Sequence, residues 1–160
     1  PTTIDDIEDP VPTVLDVPNE AGCDNLNPHH CMLPFPSDAF LVEDASTDTG
    51  FRVNIPSGII PASGSTDPVE IPRINQLDGM STATQIMTTF DTVPDLASVA
   101  YQYNIERSLE LDHPTIIWNV DDNHAVAHWA ELDARAQPGE QTILHLRTAA
   151  ALEHLSLIHI

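Results

Sequence analysis

Phe51-Arg52-Val53-Asn54-Ile55 alternates apolar with polar side chains and stops at Pro56, the pattern of a short strand buried on one face. Thr142-Ile143-Leu144-His145-Leu146-Arg147 alternates again after a Gln137-Pro138-Gly139-Glu140 turn. Thr84 to Phe90 is β-branched and apolar enough to predict a third strand. Pro114 to Val120 predicts a strand, Asp121 to His124 a turn, and Ala125 to Leu132 the return strand of a β-hairpin. Between these stretches, Ser57 to Pro72 reads as loop and Arg73 to Thr82 as a single helical turn or irregular segment. Asp91 to Ala97 reads as a turn or short helix around Pro94. Short strands at regular spacing, with turn signals between them, predict a mainly β fold: an Ig-like antiparallel β-sandwich with long irregular Pro-rich loops, incomplete at its C-terminus.

Three regions follow from the same reading. Residues 1–22 are acidic, proline-rich and poor in large apolar groups, as a linker or disordered tail is. Residues 23–153 form the β-rich module. Within it, the prolines of Leu33-Pro34-Phe35-Pro36 forbid regular helix or central strand while Leu33, Phe35, Phe40 and Leu41 require burial, so this segment is expected to run as a strap over the core. Residues 154–160 are expected to be an artificial tail: Leu155-Ser156-Leu157-Ile158-His159-Ile160 is what a sequencing-library adapter spells when translated, which implies a truncated reading frame.

Charge narrows the partners. The chain has 25 acidic and 5 basic side chains, a net charge of -20, and every basic residue is an arginine. Nucleic acid and anionic membrane surfaces both require a basic stripe, so neither is an expected partner. No apolar run approaches the roughly 20 residues of a membrane span. A carboxylate-crowded surface without lysine is accounted for by a saline or secreted setting, or by a GC-rich genome.

Cys23 and Cys31 flank a short polar segment at a spacing that suits a loop disulfide, and such a bond implies an oxidising compartment. The rivals are a metal site using Cys23, His29, His30 and Cys31, and free thiols. No metal or cofactor is expected, because adjacent ligands would have to fold back on themselves and no second Cys pair is present.

Four blocks carry a resemblance: Cys31 to Leu41 with its Pro34-Phe35-Pro36 core, Arg73 to Ser81 with Leu77-Asp78-Gly79, His128-Trp129-Ala130-Glu131-Leu132-Asp133, and Thr142 to Thr148. In that order they resemble the N-terminal region of exported bacterial proteins that carry the bacterial virulence factor lipase N-terminal domain. The resemblance implies a non-catalytic, bacterial Ig-like module in front of an α/β-hydrolase, a lipase or esterase. It implies a secreted or cell-surface location and the downstream domain of the same parent chain as partner.

The residues themselves offer little catalytic chemistry. No G-x-S-x-G elbow is present, and Ser37, Ser65 and Ser81 have no placed base. His124 and His128, read on one strand, lie about 13 Å apart and do not share a metal. His128, Trp129, Glu131 and Asp133 are expected to satisfy the edge and turn of the hairpin, and Trp118 and Trp129 to pack as core or cross-strand partners. Asp121-Asp122-Asn123 reads as a solvated turn rather than a calcium loop. Leu77-Asp78-Gly79 reads as a turn in which glycine takes positive φ and aspartate bonds nearby backbone, or as a contact surface for a missing domain. The alternative function is surface adhesion or carbohydrate binding, which requires an exposed aromatic platform drawn from Trp118, Trp129, Tyr101 and Tyr103.

Overall fold

The computed structural model describes residues 22–24, 26–27, 30–59, 69–135, 141–154 and 158–159. The acidic tail up to residue 21, His29, and the Gln137-Pro138-Gly139-Glu140 turn lie outside them. In chain order the strands are β1 (Leu41–Glu43), β2 (Phe51–Val53), β3 (Ile86–Thr89), β4 (Trp118–Asn119), β5 (His124–Ala125), β6 (His128–Leu132), β7 (Ile143–Thr148) and β8 (Ile158–His159). One helical turn, α1, covers Ile71–Ile74, and 3-10 turns cover Asp38–Phe40, Leu96–Ser98 and Ile105–Leu109. The fold is mainly β, and the described residues make three small antiparallel sheets ordered β1-β2, β3-β7-β6 and β5-β4-β8.

The sheet β3-β7-β6 carries the larger apolar cluster. Its alternation turns Ile86, Ala130, Leu144 and Leu146 inward, where they meet Val99 and Ile117. The same alternation turns Trp129 and Glu131 outward, opposite Arg147 and His145. A second cluster of Phe40, Val53 and Ile55 sits under the β1-β2 hairpin, with Met32, Ile71, Ile74 and Met80 against it. The strap joins the two clusters: Phe35 exchanges main-chain hydrogen bonds with Met87 of β3 at 2.9 and 2.7 Å, while Phe40, five residues on, is buried in the hairpin cluster.

The predicted hairpin is corrected. β4 and β5 pair over only two residues, and the chain then crosses to the other sheet, where His128–Leu132 pairs with Ile143–Thr148. Hydrophobic matching explains the crossing, since Ala130 and Leu132 face Leu146 and Leu144 across β7. Val126, at the crossing, keeps one bond to the Ile117 carbonyl at 2.8 Å. Ile158–His159, set aside on sequence, adds antiparallel to β4. The helical turn begins at Ile71, two residues before the sequence placed it, because Pro72 lacks an N–H and fits the first turn.

Candidate functional site

The most organised polar group inside the molecule lies where the Ala100–Thr115 loop meets β6. His128 opens that strand with its ring fully buried. Its Nδ1 is 2.8 Å from the Val126 carbonyl oxygen, which only accepts, so Nδ1 carries the proton. Nε2 then accepts from the Thr115 hydroxyl at 2.9 Å. His113, 6% exposed, accepts the Ala100 N–H on Nε2 at 2.8 Å and donates from Nδ1 to its near neighbour's carbonyl, Thr115 O, at 2.7 Å. The two rings meet edge to face with centroids 5.7 Å apart. Buried Ser108 accepts the His128 main-chain N–H at 2.9 Å and donates to the Ile105 carbonyl at 2.6 Å.

Burial pulls the His128 pKa below its ordinary value of 6.5, and the nearby His113 adds to the effect; main-chain bonds to Val126 and Thr115 oppose it. Burial thus favours the neutral His128 ring, and hydrogen bonds fix one tautomer in each of the two rings. Among the described residues no carboxylate bonds either ring, and the Ser108 hydroxyl is committed to main chain, so these residues do not form a nucleophile–base–acid arrangement. The sequence singled out His128 but not His113, Thr115 or Ser108. Only a fold that turns the loop back on β6 brings them together, and spacing carries no sign of it.

The remaining sequence candidates are dispersed. Cys23 and Cys31 form a disulfide, with Cα atoms 4.5 Å apart, which takes both thiolates away from a metal set. The loop it closes docks on β3 through Asn27, whose amide donates to the Thr89 carbonyl at 3.1 Å and hydroxyl at 3.0 Å. Asp24, buried beside it, accepts from the Leu26 N–H and the Ser37 hydroxyl. Pro34, Phe35 and Pro36 form the strap, with both X-Pro bonds cis.

Leu77 and Asp78 hold the β1-β2 hairpin through their main-chain carbonyls, with Gly79 next in the chain. The Leu77 carbonyl accepts from Val53 N at 2.9 Å, and the Asp78 carbonyl accepts from the Thr49 hydroxyl. The turn reading is corrected at Gly79, which does not adopt positive φ; among these neighbours Gly50 does, at 77°. Asn75, which the sequence passed over, does more than its neighbours: its side chain accepts the Ile55 N–H and donates to the Ile55 carbonyl, both at 2.9 Å, standing in for a strand partner. In the same hairpin, hydrogen bonds from Ser46 and then from Arg52 hold Asp44 well below the usual carboxylate range.

Trp129, Glu131 and Arg147 share the outer face of the larger sheet. Arg147 pairs with Glu131, and Gln85, oriented with its oxygen toward the guanidinium, accepts from Nη2 at 2.9 Å. A shallow groove of about 330 Å³ runs over Trp129, Gln85 and Arg147 to Ala149–Ala151. The Trp129 indole nitrogen is buried without a hydrogen-bond partner. Leu132 packs against the core, and Asp133 accepts from the main-chain and side-chain nitrogens of Arg135, which lowers its pKa. His124 sits exposed on β5 and His128 buried on β6, in different sheets, so they share no ligand. Asn119 bridges the carboxyls of Asp122 and Glu153 at 3.1 Å each, and the Asp122 carboxyl raises the Glu153 pKa.

Trp118 and Trp129 are both half-buried, and neither supplies a free aromatic platform. Tyr101 and Tyr103 do: their rings stack with centroids 5.8 Å apart and 17° between planes, at 41% and 84% exposure. Asn104 holds their turn, accepting the Tyr101 N–H at 2.6 Å and donating its own main-chain N–H to the Tyr101 carbonyl at 3.1 Å. Comparison with protein-family models, with curated proteins and with solved structures finds no match to this chain.

Proposed function

We infer that this chain is a non-catalytic module of a secreted or cell-surface bacterial protein, whose parent is an α/β-hydrolase of lipase or esterase type. The observation that carries the non-catalytic part is the state of His113, Thr115, Ser108 and His128. Their hydrogen-bonding groups are spent on main chain and on one another, inside the protein, leaving no activated nucleophile among them. The Cys23–Cys31 disulfide supports an oxidising, extracytoplasmic location. Among the described residues, no helix is long and apolar enough to cross a membrane. The parent rests on the resemblance of the Pro34-Phe35-Pro36, Leu77-Asp78-Gly79 and His128–Asp133 blocks, and the partner is the downstream domain of that parent.

The source DNA tests the parent. Reading it beyond Glu153 should reveal an open frame with further strands and a G-x-S-x-G at a strand–helix turn. A frame that closes at Ile160, or continues without that elbow, overturns the hydrolase parent.

One observation favours a second reading, a surface carbohydrate-binding module: the stacked Tyr101–Tyr103 pair offers exposed ring faces of the kind that sugar C–H faces pack against. The net charge of -20 directs that reading toward neutral rather than acidic glycans. Binding of neutral oligosaccharides that is lost in Tyr103→Ala would support it; no binding to a neutral glycan panel would remove it.

A further inference from the structure

The loop from Ala100 to Thr115 is held to β6 by a short set of bonds, and two of the bonds at its base end on imidazole nitrogens that accept. Ala100 N–H donates to His113 Nε2, closing the loop on itself. Thr115 Oγ1 donates to His128 Nε2, tying the end of the loop to the strand. The others are Ala130 N–H to the Ala100 carbonyl at 3.2 Å and His128 N–H to Ser108 Oγ at 2.9 Å. An imidazolium has two donors and no acceptor. A proton on His113 Nε2 would point at the Ala100 N–H, donor against donor across 2.8 Å. A proton on His128 Nε2 would force the Thr115 hydroxyl to turn round and accept, leaving its hydrogen facing His113 Nδ1, 3.2 Å away, which already carries one.

We propose that the His113–Thr115–His128 cluster is an acid-sensitive latch: it seats the Ala100–Thr115 loop on β6 when both rings are neutral, and proton uptake in mildly acidic solution releases that loop. The loop carries Tyr101 and Tyr103, so its release moves the exposed aromatic pair. The charged groups carried by the loop itself are Glu106 and Arg107 on the Ile105–Leu109 turn, Glu110 at its end, and Asp112 next to His113 in the chain. Glu131 and Arg147 lie on the outward face of β6 and β7, away from the inward His128. None of these bonds either ring, so among the described residues no carboxylate is hydrogen-bonded to an imidazole to stabilise its charged form. The sign follows from burial. A histidine with a depressed folded-state pKa contributes stability that is complete above about pH 6.5, its unfolded value, and is lost as the pH falls through the folded value.

The test is thermal unfolding of the whole chain at fixed salt between about pH 7.5 and about pH 5. Wild type should lose roughly 5 °C or more in midpoint over that range, and His113→Gln and His128→Gln should each lose much less. At the acidic end, amide exchange at Ala100 should accelerate by about tenfold or more beyond its intrinsic rate. A flat wild-type profile overturns the latch, as does an undiminished fall in both variants, which would assign the effect to exposed groups. If neither variant folds, an NMR titration of the wild-type imidazoles decides. Ring protonation should coincide with loss of the Ala100 amide's native shift, and rings that titrate while that amide stays in place overturn the proposal.

Discussion

Asn75 shows how much one side chain carries here. Its amide satisfies both the N–H and the C=O of Ile55, a buried residue just beyond the end of β2, where among the described residues the β1 pairing has stopped. Asn75→Ala leaves both groups without a partner in a part-buried setting and should cost about 1–3 kcal/mol, read as a lower urea midpoint with unchanged slope. Gly79→Ala, a few residues further along the same block, should stay within about 0.5 kcal/mol of wild type. Its φ is not positive, and an added Cβ would meet nothing closer than Thr49 Cγ2 at 3.9 Å. If Gly79→Ala is the more damaging of the two, the main-chain account of this block is wrong.

At the scale of elements, the disulfide loop and the strap join the two apolar clusters. The Cys23–Cys31 link closes a short loop that docks Asn27 on Thr89 and Asp24 on Ser37. In the chain-entropy account such a closure is worth about 2.5 kcal/mol, so reduction should lower the thermal midpoint by several degrees without abolishing the fold. An unchanged midpoint after complete reduction would show that the loop is held by its polar contacts alone. The strands were legible where alternation was strong: Ile143–Thr148 and Phe51–Val53 lie where the pattern placed them. Pairing was less legible. His128–Leu132 alternates equally well as a partner for 114–120 or for Ile143–Thr148, and only the match of Ala130 and Leu132 to Leu146 and Leu144 decides between them. The candidate site was legible at His128 alone, because His113, Thr115 and Ser108 reach it by a loop whose path no periodicity encodes.

For the whole molecule, charge dominates. With 25 acidic side chains against five arginines, the folded state repels itself more than the expanded one does, and salt should relieve that. The observed ion pairs Arg52–Asp44, Arg135–Asp133 and Arg147–Glu131 all reach solvent, where such pairs add little stability, so screening them takes little away. The thermal midpoint should therefore rise between low and molar salt, and a flat or falling midpoint would refute the electrostatic account. The mainly β build and the outward Tyr101–Tyr103 pair are the whole-molecule features on which the proposal of a spacing or binding module rests. The measurement that tests this most directly is hydrolysis of short- and medium-chain p-nitrophenyl esters by the purified chain. The account predicts no turnover above buffer; saturable turnover that disappears in Ser108→Ala or His128→Gln would contradict it.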